Sequence, residues 1–512
     1  MVANPDSIVS RFVKMCCDLM ASVRQSAPGT SAYEMETQIF RDVLQLGALL
    51  MEAFLQGQAP HYRWGVAHHP NGFDLSYVGE RRGLFYSAFG EIRFVRSYYS
   101  GDNQGFYPMD AALNLPVKGD SDFLRTMKSD LSLEMSYERA TVHVAKYFPV
   151  ATSTRAVQDA IQTDSMDAEA YYAQAPAPPA VGDATILVVQ ADGKGVPMVK
   201  AALSASSLKQ AAAIEPKPGL LKGAPQREGK KKEATAISVA LHKPFIRTAE
   251  QVVAGLFKEH NAPDAASETV YSGPRDAPVH KRVWATLDGK ASALRQARLW
   301  AHQADSDHVQ HRVTLTDGLP SLQHSVDREF PECTRVLDLM HALSYLWKAA
   351  DVRFGNCKAG KAWVRDSVLL MLRGQVAAVI DEVDNWHSET KSAGKLTLKT
   401  TVDYFRRNRD AMAYDRYLAK GWPIATGMIE GTCRHIVKDR CERSGMRWTY
   451  DGAEAILHLR CINHNGDWED YHRFRRQQRQ AQYYGITPKS GPSLQETHVH
   501  LFNASHEYAN AA

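Results

Sequence analysis

Three carboxylates in this chain sit where metal-assisted phosphate chemistry would need them. Asp192 directly follows the apolar run Ala184-Thr-Ile-Leu-Val-Val-Gln-Ala191, Asp317 directly follows Val313-Thr-Leu-Thr316, and each is followed by glycine. Glu430 opens a helical pattern within Ile424-Ala-Thr-Gly-Met-Ile-Glu-Gly-Thr-Cys-Arg-His-Ile-Val-Lys-Asp-Arg440. There Ile429, Cys433, Ile436 and Val437 are spaced as one apolar face, while Glu430, Arg434 and Lys438 fall at four-residue steps on a neighbouring one. Two strand-end carboxylates and a third on a helix can converge on a pair of divalent cations. Phosphodiester cleavage and strand transfer need an aligned nucleophile and charge stabilisation on both flanking oxygens, which two ions about 3.5–4 Å apart supply. Mg²⁺ (or Mn²⁺) takes carboxylate oxygens and keeps several waters, which leaves room for a substrate phosphate. Asp192, Asp317 and Glu430 are therefore expected as metal ligands and as the catalytic set. Taken singly, each has a bland reading, since most of the 57 acidic residues must lie on the surface; the joint pattern is what is specific.

The cations after Glu430, namely Arg434, Lys438, Arg440, Arg443 and Arg447, are expected to contact DNA phosphates; the alternative is a solvated helix face. A net charge of +4 makes any nucleic-acid surface local rather than global. The seven cysteines make one adjacent pair, Cys16-Cys17, and no CxxC, so reduced thiols are expected and no zinc site is evident. Asp6, Arg11, Lys14 and Asp18 interrupt the first residues and exclude a signal-peptide core. No apolar run is long enough to span a bilayer, and 44% hydrophobic with 23% charged residues reads as soluble and globular.

The elements that must position these residues form an α/β pattern. Residues 7–57 read as two helices; in the second, Ile39, Val43, Leu46, Leu50, Met51 and Phe54 form the face expected to pack on a neighbour. Leu84 to Phe89 and Ile92 to Tyr99 read as a hairpin turning at Gly90-Glu91. Residues 137–162 read equally as a helix-turn-helix or as a plain helical hairpin. In the first case Thr154 to Ile161 would enter the major groove, with Arg155 and Gln158 as base readers. The Pro/Ala-rich stretch 171–183 predicts a stiff linker and a boundary near 180, with residues 1–170 as a mixed, mostly helical N-terminal DNA-binding region. Strands resume at Ala234 to Leu241 and Lys281 to Leu287, and a helix at Lys290 to Asp305 leads to the Asp317 strand. Residues 184–318 and 423–470 then form the catalytic domain, and 319–422 a helical insertion with no strand. The lysines of the 203–233 loop and the Arg/Gln-rich tail from 471 read as solvated charge or as phosphate contacts, with disorder expected from Ser490 onward.

Ala191-Asp-Gly-Lys194, Thr316-Asp-Gly318, Asp338-Leu-Met-His341, Gly427-Met-Ile-Glu-Gly431, Ser444-Gly-Met-Arg-Trp448 and Asn465-Gly-Asp-Trp468 together resemble motifs of the ISKra-type insertion-sequence transposases. That group is similar to the Mutator-like elements. The resemblance covers roughly residues 90–485 and is strongest from 310 to 470. It implies an RNase H-like catalytic domain with a large helical insertion, and a DDE triad that falls on Asp192, Asp317 and Glu430. It implies two Mg²⁺ ions, double-stranded DNA partners (terminal inverted repeats and target), a homodimer or larger assembly on DNA, and a bacterial cytoplasmic, nucleoid-associated setting. Asp338 and His341 match a Cys-or-Asp, two residues, then His motif. That pair either orients a DNA flap and supports the site, or His341 is an ordinary buried, hydrogen-bonded histidine. Relatives often carry a Cys pair before a Gly-Phe-Tyr-Pro motif, whereas Tyr99 to Pro108 here contains none, so thiolate ligation is impossible at that point. The expected activity is metal-dependent cleavage at element ends and 3′-hydroxyl strand transfer. A catalytically silent DNA-binding derivative and a nuclease without strand transfer are the competing expectations. Residues 1 to about 180 are expected to bind element ends without the catalytic domain.

Overall fold

The computed structural model describes residues 5–485 except 64, 71, 102, 103, 118, 203–230, 258–274, 392, 393 and 444. Most of the lysine-rich 203–233 loop and the expected disorder from Ser490 lie outside the described residues. Among the described residues no helix is long and apolar enough to cross a membrane. Contacts divide the chain into two compact units. One comprises residues 1–124, 148–150 and 473–512, the other 125–147 and 151–472. The division does not fall near 180, because the two helices Tyr137–Tyr147 and Thr154–Ser165 belong to the second unit. Ile161 of the latter helix shares a core with Ile456 and Leu459 of the helix Tyr450–His464. The start of the expected linker is likewise structured: the helix Ala168–Gln174 buries Tyr172, whose hydroxyl donates to Asp467 Oδ2 at 3.0 Å.

The first unit holds helices α1 (Pro5–Arg24) and α2 (Ala32–Gln58) and an antiparallel sheet in the order β1 (Val66–His68), β2 (Asp74–Ser87), β3 (Gly90–Gly101), β4 (Gln104–Phe106). α2 begins with a capping box, Ser31 Oγ accepting from Glu34 N while Glu34 accepts from Ser31 N. Its inward residues are Leu44, Leu49 and Leu55, whereas Val43, Leu50 and Phe54 of the expected packing face are exposed. Ile39, Leu46 and Met51 of that face are half-buried, and Met51 packs against the core around Leu55 and Phe94, so the expected face is covered in part. The hairpin turns at Ala88–Phe89, two residues before the expected Gly90-Glu91, with Ser87 paired to Gly90. Ser87 Oγ donates to Gly90 O and accepts from Phe89 N, and Gly90 takes φ +103°, so the glycine completes the turn and opens the next strand. Arg479, in the Arg/Gln-rich tail, is not a solvated charge: it forms a two-pronged pair with Asp122 and also donates to Asn114.

The second unit is built on a five-stranded mixed sheet in the order β7 (Val279–Thr286), β6 (Lys231–His242), β5 (Ile186–Pro197), β8 (His311–Thr316), β9 (Thr334–Leu337). β5, β8 and β9 run parallel, while β6 and β7 are antiparallel to their neighbours. Alternation along β5 sends Ile186 and Val188 into one core and Leu187, Val189 and Ala191 into the other, which is why this strand is a nearly unbroken apolar run. The first core includes the helices Leu339–Phe354, Lys358–Leu372, Val376–Glu389 and Gly394–Asn408, and the second includes Lys290–Ala304 and Tyr450–His464.

Two strand expectations are corrected. β5 does not end at Asp192 but continues to Pro197 against β6; Asp192 lies where β5 outruns β8. Gly193 and Gly195 permit this, since a Cβ on either would meet the Glu233 or Lys231 side chain of β6 at 2.9 or 2.8 Å. The 319–422 segment is not all helical, because Thr334–Leu337 forms β9 beside β8. Only Val336 and Leu337 of that strand are buried, and they run directly into a helix, so the apolar spacing merges with the helical one.

His242, at the end of β6, is buried, and burial together with the nearby Arg275 charge brings its pKa down to about 4. A histidine that is neutral in the fold but titrates near 6.5 when unfolded binds a proton on unfolding, so stability is full above that value and falls as pH drops towards 4. Urea titrations are expected to show on the order of 3 kcal/mol lost over this window through His242. His242→Gln should flatten the slope, and an equal slope in the variant would assign the loss elsewhere.

Candidate functional site

The pairing register brings the site together. Gln190 pairs with Leu315, and Leu315 with Val336. Continued two residues past the last paired ones, that register leads to Asp192 on β5, to Asp317 directly after β8 and to Asp338 directly after β9, at one end of three adjacent parallel strands. Two of these are the carboxylates expected from sequence. The third, Asp338, lies between β9 and the helix Leu339–Phe354 as the N-cap of that helix.

Asp192 is mostly buried, and burial pushes its carboxyl above the usual range; the charge of Asp317 adds to this, while Gly193 N and the Cys433 thiol, donating to its two oxygens at 2.7 and 3.5 Å, act in the opposite sense. Asp317 Oδ1 accepts from Leu319 N at 2.8 Å, and the Asp317 carbonyl accepts from the Tyr404 hydroxyl at 2.8 Å. The turn after Asp317 requires glycine: Gly318 has φ +78°, and a Cβ there would stand 2.7 Å from Leu337 and 2.9 Å from Asn408.

Glu430 is carried by the short helix Gly427–Thr432, and strand residues fix the start of that helix. Gln190, fully buried on β5, accepts from Ile429 N at 3.0 Å. Asp338 accepts from Thr426 N at 3.1 Å and from the Thr426 hydroxyl at 2.8 Å. The same carboxylate accepts from Met340 N, His341 N and His341 Nδ1, the last at 2.6 Å. Burial pushes the Asp338 pKa up, but these hydrogen bonds outweigh it and hold the group below the ordinary aspartate value. In turn the Asp338 hydrogen bond raises the His341 pKa, with Asp317 and Asp192 contributing through space. Glu430 is exposed, and its carboxylate has no hydrogen-bond partner among the described residues.

Donor atoms of Asp338, His341 and Glu430 all lie within 4.8 Å of one another. That set differs from the expected ligand trio of Asp192, Asp317 and Glu430. With Nδ1 held by Asp338, the second ring nitrogen of His341 remains as its donor towards a ligand, while the oxygens of Asp338 are already occupied by protein hydrogen bonds. The other donors of that set are carboxylate oxygens, and outside it the Asp317 charge acts on Asp192 in the sense that raises its pKa.

The segment after Glu430 is a π-helical turn, Cys433–Lys438, continued by Asp439–Cys441. Ile429, Cys433, Ile436 and Val437 are buried, as their spacing predicts, and Arg434, Lys438 and Arg447 are exposed. Arg440 departs from expectation. It is buried, donates to Ser132 O and Met446 Sδ, and lies over the rings of Tyr137 and Trp448, so it holds the packing rather than a phosphate. Arg443 is exposed, but its guanidinium donates to the carbonyls of Asp439 and Glu134. Arg155 is exposed and pairs with Asp159 at 2.9 Å, and Gln158 is half-buried on a helix whose Val157 and Ile161 face the core.

Sequence reasoning missed Gln190, Thr426 and Tyr404. Only Gln190 left a signal, as the one polar amide inside an apolar strand. No protein-family model matches this chain, and no curated protein matches it either.

Proposed function

We propose that this chain is a DNA transposase of the DDE type. In this reading the mixed sheet and its helices form an RNase H-like catalytic domain, and the activity is cleavage at element ends followed by 3′-hydroxyl attack on target DNA. The observation that carries the proposal is the placing of Asp192 on β5 and of Asp317 directly after its parallel neighbour β8, with Glu430 on a helix whose start is hydrogen-bonded to β5 and to Asp338. Asp192, Asp317, Glu430 and the free nitrogen of His341 would hold divalent cations, which when bound align the attacking hydroxyl and stabilise charge on the phosphate. The chain's own residues do the positioning. Asp338 orients the His341 ring and the start of the Glu430 helix, Gln190 holds that helix against the sheet, and Gly318 allows the turn that presents Asp317.

Labelled DNA carrying the ends of the element, with a target plasmid and Mg²⁺, tests this reading. End cleavage with joined product supports it. Cleavage without joining would make the chain a nuclease, and binding alone a silent derivative.

The exposed cations give a separate measurement. Arg434→Ala and Lys438→Ala should each weaken binding to all DNA sequences alike and reduce the salt slope by about 0.9 per lost phosphate contact. Arg440→Ala should instead lower the melting temperature and leave the slope alone, because its charge is used inside the fold. An unchanged slope for Arg434 and Lys438 would return both to plain surface charge.

A further inference from the structure

The apolar residues that α1 and α2 leave exposed form two ordered rows. On α1 they are Val9, Val13, Met20 and Val23, in register with Cys16 at alternating four- and three-residue steps. On α2 Tyr33, Phe40 and Phe54 fall at multiples of seven, with Val43 and Leu50 seven apart beside them. Both patterns are the seam spacing of helices that pack on further helices. The helices run antiparallel, since Arg11 near the start of α1 pairs with Glu52 near the end of α2. Projected at 3.6 residues per turn, both rows fall on one side of this pair, and Arg11, Lys14, Gln38 and Arg41 lie on the other.

We infer that this face binds a second copy of the chain, forming a four-helix contact that does not need DNA. Two observations favour a like partner. A seam on each of two antiparallel helices is self-complementary under a twofold axis, where each row meets its equivalent or its neighbour. The area also suffices. The nine residues are between 37% and 77% exposed, leaving on the order of 900 Å² of apolar surface per protomer. A symmetric contact would then bury at most about 1,800 Å², within the range of stable interfaces. The inference does not depend on the carboxylate chemistry.

Sedimentation velocity of the full-length, DNA-free protein from about 1 to 50 µM tests it. The wild type and Asp192→Asn should both sediment as dimers. Val43→Glu with Leu50→Glu on α2, and separately Val9→Ser with Val13→Ser on α1, should weaken self-association about 100-fold or more for the charged pair and at least about tenfold for the serine pair. Helical circular dichroism should be unchanged, because these positions are exposed in the protomer. A wild type that stays monomeric throughout would overturn the inference. So would variants that dimerise like wild type, or a monomer that dimerises only after residues 486–512 are removed, which would make the chain's own end the occupant.

Discussion

Asp317→Asn is expected to abolish both cleavage and joining, by about 10³-fold or more, while binding to element ends stays within about twofold of wild type. Asp192→Asn and Glu430→Gln should behave alike. The substitutions keep shape but remove the charge that a divalent ion needs. Asparagine at 317 can still accept from Leu319 N, so the turn should survive. At 192 the neutral amide also removes a charge that burial, and to a lesser degree Asp317, disfavours, so that variant should be at least as stable as wild type. A lost activity combined with an unchanged or raised melting temperature separates chemistry from folding. Wild-type strand transfer by any one of the three in Mg²⁺ would end the assignment of that residue.

Asp338→Ala is expected to be the most destabilising single change near the site, at on the order of 3–5 kcal/mol. The carboxylate is fully buried and accepts five hydrogen bonds, from Met340 N, His341 N, His341 Nδ1, Thr426 N and the Thr426 hydroxyl. Removing it strands buried donors from both the Leu339–Phe354 helix and the approach to the Glu430 helix. Thr426→Val loses one side-chain bond and should cost only about 1–2 kcal/mol. Because the folded pKa of Asp338 is depressed, its contribution is complete above the ordinary aspartate range and disappears as pH falls through the folded value. Equilibrium urea unfolding of the two variants is the measurement. An Asp338→Ala protein within about 1 kcal/mol of wild type would show that the network is incidental.

What was legible in the sequence is what local pattern encodes. Apolar runs ending in Asp-Gly announced β5 and β8, and glycine was informative at 318 because Leu337 and Asn408 leave no room for a Cβ. The Glu430 region kept its apolar face through a π-helical turn. Features set by distant partners were not legible. Four-residue β9 reads as the first turn of the helix it enters, which hid the position of Asp338 at a strand end. Arg440 looks like its neighbouring surface cations, yet the Ser132 carbonyl and the rings of Tyr137 and Trp448, brought by other segments, make its burial tolerable. The contact units do not divide near residue 180 for a similar reason: the packing of Ile161 against a helix that begins at Tyr450 has no local signature.

The row of three aspartates also bears on how the sheet assembles. Side chains on a strand alternate, so a slip of one residue between β5 and β8 would turn Val313 and Leu315 out of their core together with Asp317. Like charges on neighbouring strands oppose the correct pairing, and the apolar residues below them enforce it. The sheet is therefore locally frustrated at one edge of its parallel part and well satisfied in its middle. A misregistered intermediate would lack the carboxylate row altogether, so the competence of the site reports on completed folding: no chain can present the three acids together until its strands have found their final alignment.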